Sequence, residues 1–297
     1  MLKQELLEKL SNFHQSIPVY SIKKLSYNEM LELGKYYSSR FMRKDTAGLF
    51  RVSQRDDDST LIHLSLDINM RIYHNSNTVT ISRKMGPLEN LIKEKFDKKK
   101  LSEIAINEMK KLELEKKSRL SFEQLKFEVL WQIKCGGVTV EEERTPVFLC
   151  RIVGAFRRYI NEVPVYGRAS SFIRLAGENM IESVGIDWRQ INEKPIDNAK
   201  IIDPKIAAEK ILDDLSSTSP KRVLTSEDYK PEFFALGYLS KPKRRQQNYM
   251  QPVYIAIFQD LGWTAWKRLI VIPATEHVYE PYPSYAEEFM QKGKFRE

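Results

Sequence analysis

The amino-acid sequence predicts an α+β fold of tandem helix-plus-antiparallel-sheet units. Two observations predict it. The apolar residues pass from helical spacing to strict alternation three times along the chain, and the alternating stretches are separated by short polar turns. A helix of about four turns followed by several half-buried strands covers one face of a sheet and leaves the other for solvent, a neighbour or a ligand. The boundaries that follow are 1–95, 96–195 and 196–297, each a helix-plus-sheet unit, the last with a polar tail.

In the first unit, Leu2, Leu6, Leu7 and Leu10 place a short amphipathic helix within residues 1–15, and Pro18 ends it. Residues 19–22 form a short strand. Ser26 with Glu29 fits a capping box, which satisfies free N–H groups at a helix start. Tyr27, Met30, Leu31, Gly34, Tyr37 and Phe41 then share one face. Ile62, Leu64, Leu66 and Ile68 alternate with polar residues, as do Val79 and Ile81. Pro87 opens a charged helical stretch.

In the second unit, Leu101, Ile104, Ala105, Met109 and Leu112 give the inward face of a helix. Leu125, Phe127, Val129, Trp131, Ile133 and Cys135 then form one strand face, opposite Lys126, Glu128, Gln132 and Lys134. Gly136 and Gly137 mark a turn, residues 146–159 a long strand, and 169–175 and 180–188 two more. In the third unit, Asp203 followed by Pro204 signals a helix start, with Ala208, Ile211, Leu212 and Leu215 inward. Strands are expected at 233–238, 253–258 and 267–272.

Composition narrows the function classes. Lys and Arg number 48 against 40 Asp and Glu, a net charge of +8 that favours anionic partners only modestly. Two cysteines make neither a disulfide scaffold nor a CxxC zinc site. The N-terminal residues lack the apolar core of a signal peptide, and no apolar run approaches a membrane span. The expected location is cytoplasmic, or secreted or membrane-tethered if a signal has been removed.

The stretch Phe156-Arg157-Arg158-Tyr159-Ile160-Asn161-Glu162-Val163-Pro164-Val165-Tyr166-Gly167-Arg168 resembles the propeptide lobes of thermolysin-type metalloproteases and the related PepSY-like domains, with Glu162 at a turn position where those domains carry glycine. Phe172-Ile173-Arg174-Leu175, Gly177-Glu178-Asn179 and the strand from Met180 to Val184 look like the hairpin of such a lobe, closed by Ile186-Asp187-Trp188. Gln251-Pro252-Val253-Tyr254 and Val271-Ile272-Pro273-Ala274 are similar to strands of the tandem YycH/YycI-like regulators. The resemblance covers roughly residues 100–275 and implies tandem cystatin/PepSY-like units that bind protein segments rather than catalyse.

Catalytic signals are sparse. His14, His63, His74 and His277 are scattered, with no HExxH, so no metal is expected, and no glycine-rich phosphate loop points to a cofactor. Asp56-Asp57-Asp58 reads as a solvated turn. Cys135, beside two glycines, is the best nucleophile candidate, but its place in the inward stripe favours a structural thiol. Trp263 and Trp266 flank a turn at Gly262 and read as core anchors. Basic residues stand out instead: the group Arg151, Arg157, Arg158, Arg168 and Arg174, interleaved with Tyr159, Tyr166 and Phe172, and the run from Lys241 through Lys243, Arg244 and Arg245. On one face these would form a cationic platform. The expected function is therefore non-catalytic binding of an acidic or extended protein segment on a sheet surface. Arg157, Arg158, Tyr159, Arg168, Arg174, Lys243, Arg244 and Arg245 are the expected contacts. An enzyme with a pocket in a curved sheet is the alternative, and non-specific nucleic-acid binding the third.

Overall fold

The computed structural model describes residues 1–42, 50–84, 98–117, 119–135, 148–167, 171–176, 180–217, 224–262 and 267–282. The chain forms an α+β structure in which every strand pairing with a described register is antiparallel. It divides into two units, not the expected three. The first comprises Met1–Ile22, Ile191–Leu239 and Asn248–Glu297, and the second Lys23–Gln190 with Ser240–Gln247.

The first unit contains helix α1 (Leu2–Leu7) and strand β1 (Ser16–Ser21). Its later part holds β11 (Asp197–Lys200), α4 (Pro204–Ser217), β12 (Tyr229–Ser240), β13 (Tyr249–Met250), β14 (Pro252–Asp260) and β15 (Lys267–Pro273). β1 lies between β11 and β13, and β14 between β12 and β15. α4 begins where Asp203 predicts: its carboxylate accepts from the Lys205 N–H at 2.7 Å.

The second unit contains α2 (Tyr27–Phe41), β2 (Arg51–Arg55), β3 (Ser59–His63), β4 (Ile68–Tyr73), β5 (Thr78–Arg83) and α3 (Lys98–Leu112). β6 (Glu123–Cys135), β7 (Phe148–Ile160), β8 (Val163–Gly167), β9 (Ser171–Leu175) and β10 (Ile181–Ile186) complete it. Strand order is β6-β7-β9-β10-β5-β4-β3-β2, with β8 folded back on the end of β7. The capping box at Ser26 forms as read from sequence, with both of its hydrogen bonds present.

The first two expected units merge because β5 pairs with β10, making one sheet of strands from both. α2 and α3 pack side by side on it. Met30, Leu33, Tyr37 and Phe41 of α2 share a core with Ala105, Met109 and Leu112 of α3 and with sheet residues Ile62, Met70, Ile81, Phe156, Ile173 and Val184. One apolar layer therefore serves two helices, and neither helix-plus-sheet module closes a core alone.

One sequence expectation changes. Leu66 does not continue the strand alternation. It lies in the turn between β3 and β4, closed by the Leu64 N–H to Ile68 carbonyl bond of 2.9 Å, and is 98% exposed. The charged stretch after Pro87, the turns at 136–137 and 177–179, Trp263, Trp266 and the last fifteen residues lie outside the described residues. The turn joining β7 to β8 has positive φ at both Asn161 (47°) and Glu162 (63°), the two-residue hairpin geometry whose twist suits antiparallel strands.

α3 rests on β7 at Gly154, where a Cβ would sit 2.7 Å from the Ala105 Cβ. Gly154→Ala is expected to cost about 1–3 kcal/mol of unfolding free energy, since neither a helix nor a central strand yields freely. Urea denaturation measures it, and a cost near zero would show that α3 is not seated there.

Candidate functional site: the helix-free sheet face and its β6 edge

Side chains alternate across a strand, so the sheet of the second unit has one face under α2 and α3 and one without helices. On the helix-free face lie Leu61, His63, Asn69, Arg71, Thr80, Ser82, Ser183, Phe172 and Arg174, none of them in the helix-packed core. Phe172 lies flat across Gly185, where a Cβ would come within 2.1 Å of its ring. Only a glycine permits that close approach.

β6 changes faces partway along. The register with β7 shifts between Phe127 and Val129, a β-bulge that adds one residue to β6. Before the bulge, Leu125 and Phe127 pack against the helix-side core, Phe127 edge-on to Phe156 with ring centroids 5.5 Å apart. After it, Leu130 takes the helix side against Leu101 and Ile152. Val129, Trp131 and Ile133 therefore turn to the helix-free face, with Trp131 54% exposed. The single inward stripe expected from Leu125 to Cys135 is corrected: one extra residue reverses everything beyond it.

The reversed segment borders a cleft of ≈ 230 Å³. Glu128, Val129, Trp131, Ala155, Arg157, Val165 and Gly167 line it. Arg157 Nε donates to Glu128 Oε1 at 2.8 Å, and its guanidinium lies 4.5 Å from the Tyr166 ring centroid.

The strand's outer side is also open. Among the described residues β6 pairs with β7 alone. The opposite edge strand, β2, is five residues long, has arginine at both ends and is bulged between Val52 and Gln54. Those are features that discourage strand addition. β6 has thirteen residues, and its uncharged 129–133 segment lies between two register shifts with β7, one after Phe127 and one after Ile133.

The predicted basic contacts separate into different environments. Arg157 lines the cleft. Tyr159 lies 4.6 Å from Lys126 Nζ, which also pairs with Glu162 at 3.0 Å. Arg151 pairs with Glu182. Arg174 is on the helix-free face with its Nε buried and without a hydrogen-bond partner. Arg168 lies outside the described residues. Arg158 is corrected from surface to interior: it is 2% exposed, its Nε donates to Glu123 Oε1 at 2.7 Å, and its guanidinium stacks 4.7 Å from Trp188. Glu123 is 35 residues away in sequence, so only the β6–β7 register reveals the pair. Arginines 151, 157 and 158 thus each have a glutamate partner, and the expected cationic platform is largely neutralised.

Lys243, Arg244 and Arg245 belong to a segment that Arg189 holds. Arg189, 1% exposed, donates to the carbonyls of Asn75 (2.7 Å), Lys241 (2.9 Å), Pro242 (3.1 Å) and Arg245 (3.0 Å) and to Ser240 Oγ (3.2 Å). Lys243 Nζ sits 4.2 Å from the Tyr73 ring centroid. Arg158, Arg189 and Lys243 all bear on the carboxylate of Asp187, which is 7% exposed and has Oδ1 without a partner. Burial raises the Asp187 pKa from its ordinary 3.8 to about 6, against the opposing pull of Arg189, the Thr78 hydroxyl, Arg158 and Lys243. From sequence, Asp187 entered only as part of a strand end and Arg189 not at all, because Thr78, Arg158, Lys243 and the carbonyls that Arg189 bonds lie far along the chain.

Cys150 is buried and disulfide-bonded, which removes it as a nucleophile. The side chain of Cys135 lies outside the described residues. His63 Nδ1 bonds Asn69 Oδ1, and His74 Nε2 bonds Thr60 Oγ1 at 2.8 Å. Among the described residues no group of His, Cys, Asp or Glu is arranged to hold a metal ion, and no helix is long and apolar enough to cross a membrane.

No family model matches the chain, and no curated protein does. A crystal structure of an uncharacterized protein from Eubacterium rectale ATCC 33656 is similar, with a TM-score of 0.48 at 12% identity over 91% of this chain and 86% of that one.

A carboxylate with a raised folded-state pKa binds its proton more tightly in the folded chain than in the unfolded one. Its contribution to stability is therefore full below pH 3.8 and is lost as pH rises through about 6. The loss is about 3 kcal/mol. Asp187→Asn is expected to remove that dependence and to be the more stable protein at pH 7. Urea titrations at pH 4 and pH 7 measure both effects, and an unchanged pH slope in the variant would contradict the assignment.

Proposed function

We propose that this chain is a non-catalytic binding protein that takes an extended protein segment as an added strand along β6. The observation that carries the reading is the outer edge of β6, unpaired among the described residues, with Val129, Trp131 and Ile133 turned to one solvent-facing side. Main-chain hydrogen bonds to a strand edge supply affinity without regard to sequence, and alternate side chains supply selectivity. An added strand sends every second side chain onto the helix-free face beside Trp131. Apolar residues at those positions would bury surface that Trp131 and Ile133 now expose to water.

Extension matters more than acidity in this reading, because Arg151, Arg157 and Arg158 already have glutamate partners. The likeness of residues 156–168 to propeptide and PepSY-like lobes supports a segment-binding role, and a cystatin/PepSY-like ancestry for the central part of the chain remains part of the proposal. Of the predicted contacts, Arg157 and Tyr159 lie on β7 across the ladder from Lys126 and Gln124, while Arg158 between them is buried.

The test is a display selection of nine-residue peptides against the folded chain, followed by hydrogen exchange. A selected peptide is expected to slow exchange of alternate amides between residues 124 and 134 at least about tenfold, as new ladder bonds form. Trp131→Glu is expected to weaken its binding by a similar factor. Binders that leave every β6 amide unprotected would overturn the reading.

A further inference from the structure

The helix-free face of the second unit gathers a further group of basic residues, away from β6. Tyr73 and Thr78 stand at one end of that face, and both are buried. Lys243, from the 240–247 segment of the same unit, places its Nζ 4.2 Å from the Tyr73 ring centroid. Beside it, Arg71 Nη1 donates to Ser59 Oγ at 3.0 Å, and Ser59 is opposite Tyr73 in the β3–β4 register. Arg244 and Arg245 follow with exposed side chains on a pinned backbone. Arg189 holds the carbonyls of Lys241, Pro242 and Arg245, and the Asn75 amide donates to the Arg244 carbonyl at 2.9 Å. The Lys241 N–H donates to Gln247 Oε1 at 2.8 Å. Three cations are thereby presented from a fixed turn.

Strand register extends this feature into a channel. One row reads Arg71, Thr80, Gly185 and Phe172, and the next Asn69, Ser82, Ser183 and Arg174. Arg71 and Arg174 stand three strand spacings apart, roughly 14 Å. The side chains between them are short and polar except Phe172, whose ring lies across Gly185. Among the described residues, Arg71, Arg174, Lys243, Arg244 and Arg245 form no ion pair. Glu128 and Glu182 are held by Arg157 and Arg151, Asp187 is buried, and Asp58 accepts from the Asn75 amide. Cations gathered on one face without carboxylates attract a polyanion.

We propose that this face binds single-stranded nucleic acid, with the five cations on its phosphates and a base stacked on Phe172. The surface suits it better than an acidic peptide. Thr80, Ser82, Ser183 and Asn69 offer hydroxyl and amide groups to base edges and sugars, and no aliphatic side chain lies between Arg71 and Arg174 to pack against a peptide's. A duplex hides its base faces from an aromatic ring, so a single strand is the form that fits. The inference is independent of strand addition at β6 and stands or falls without it.

Fluorescence anisotropy of a labelled oligothymidylate of about twelve nucleotides tests this. Five phosphate contacts predict an affinity that falls about a hundredfold between about 50 and about 200 mM salt. The combined Lys243→Gln, Arg244→Gln and Arg245→Gln variant keeps two contacts, and the fall is expected to shrink to about sevenfold. Lys98→Gln, Lys110→Gln and Lys111→Gln together make the same charge change on α3 and are expected to leave the full fall intact. Phe172→Leu is expected to weaken binding about tenfold with its salt dependence unchanged. Circular dichroism melting verifies that each variant is folded. Absence of binding at the lower salt, equal effects of the two triple variants, or a Phe172→Leu variant that binds as the parent does overturns the inference. So does equal affinity for a duplex of the same length. Preference for an oligoglutamate of similar charge overturns it in favour of an acidic protein segment.

Discussion

Strand side chains alternate with period two, so a single inserted residue exchanges the two faces for everything that follows. In β6 that insertion falls between Phe127 and Val129. The first half of the strand contributes Leu125 and Phe127 to the core beneath α2 and α3, while Val129, Trp131 and Ile133 emerge on the far side. Without the bulge those three side chains would continue the inward stripe. With it, the strand anchors itself by one half and displays the other.

The display is stable because its foundations are long-range. The sheet is continuous from β6 to β2, two helices share one apolar layer on it, and the second unit closes over pairings between segments more than a hundred residues apart. Beneath the β6–β7 ladder, Glu123 and Arg158 form a buried, hydrogen-bonded pair. Such a pair offers little net stability against a hydrophobic replacement, but it disfavours any register that leaves either charge alone. The pair thus supports the alignment on which the bulge, and hence the exposed stripe, depends. Arg189 has a comparable role around residues 240–247, where one buried guanidinium bonds the carbonyls of Asn75, Lys241, Pro242 and Arg245 and so fixes the path of that segment.

What sequence disclosed and what it withheld divide along the same line. Ser26 with Glu29 and Asp203 with Pro204 announced helix starts because a cap is a contact within three residues. The alternation at Val79 and Ile81 announced a strand because burial of one face imprints a period, and the long strand read over residues 146–159 forms as β7. The bulge left no such imprint: apolar residues at every odd position from 125 to 133 look like one face whether or not a residue has been inserted. Leu66 kept the period while the backbone turned. The merging of two expected units depended on β5 finding β10, and the burial of Arg158 on Glu123 lying across a hairpin. The cationic platform was legible as a cluster of residue types, but its neutralisation by Glu123, Glu128 and Glu182 required the strand register.

The central claim is the reversal of faces within β6. Hydroxyl-radical footprinting of the folded chain in dilute solution, read residue by residue along 124–134, tests it most directly. The account predicts rapid modification of Trp131, slower modification of Ile133 in keeping with its lesser exposure, and protection of Leu125 and Phe127. Equal protection of Phe127 and Trp131 would mean one unbroken buried stripe, and would contradict the reversed edge together with the binding role assigned to it.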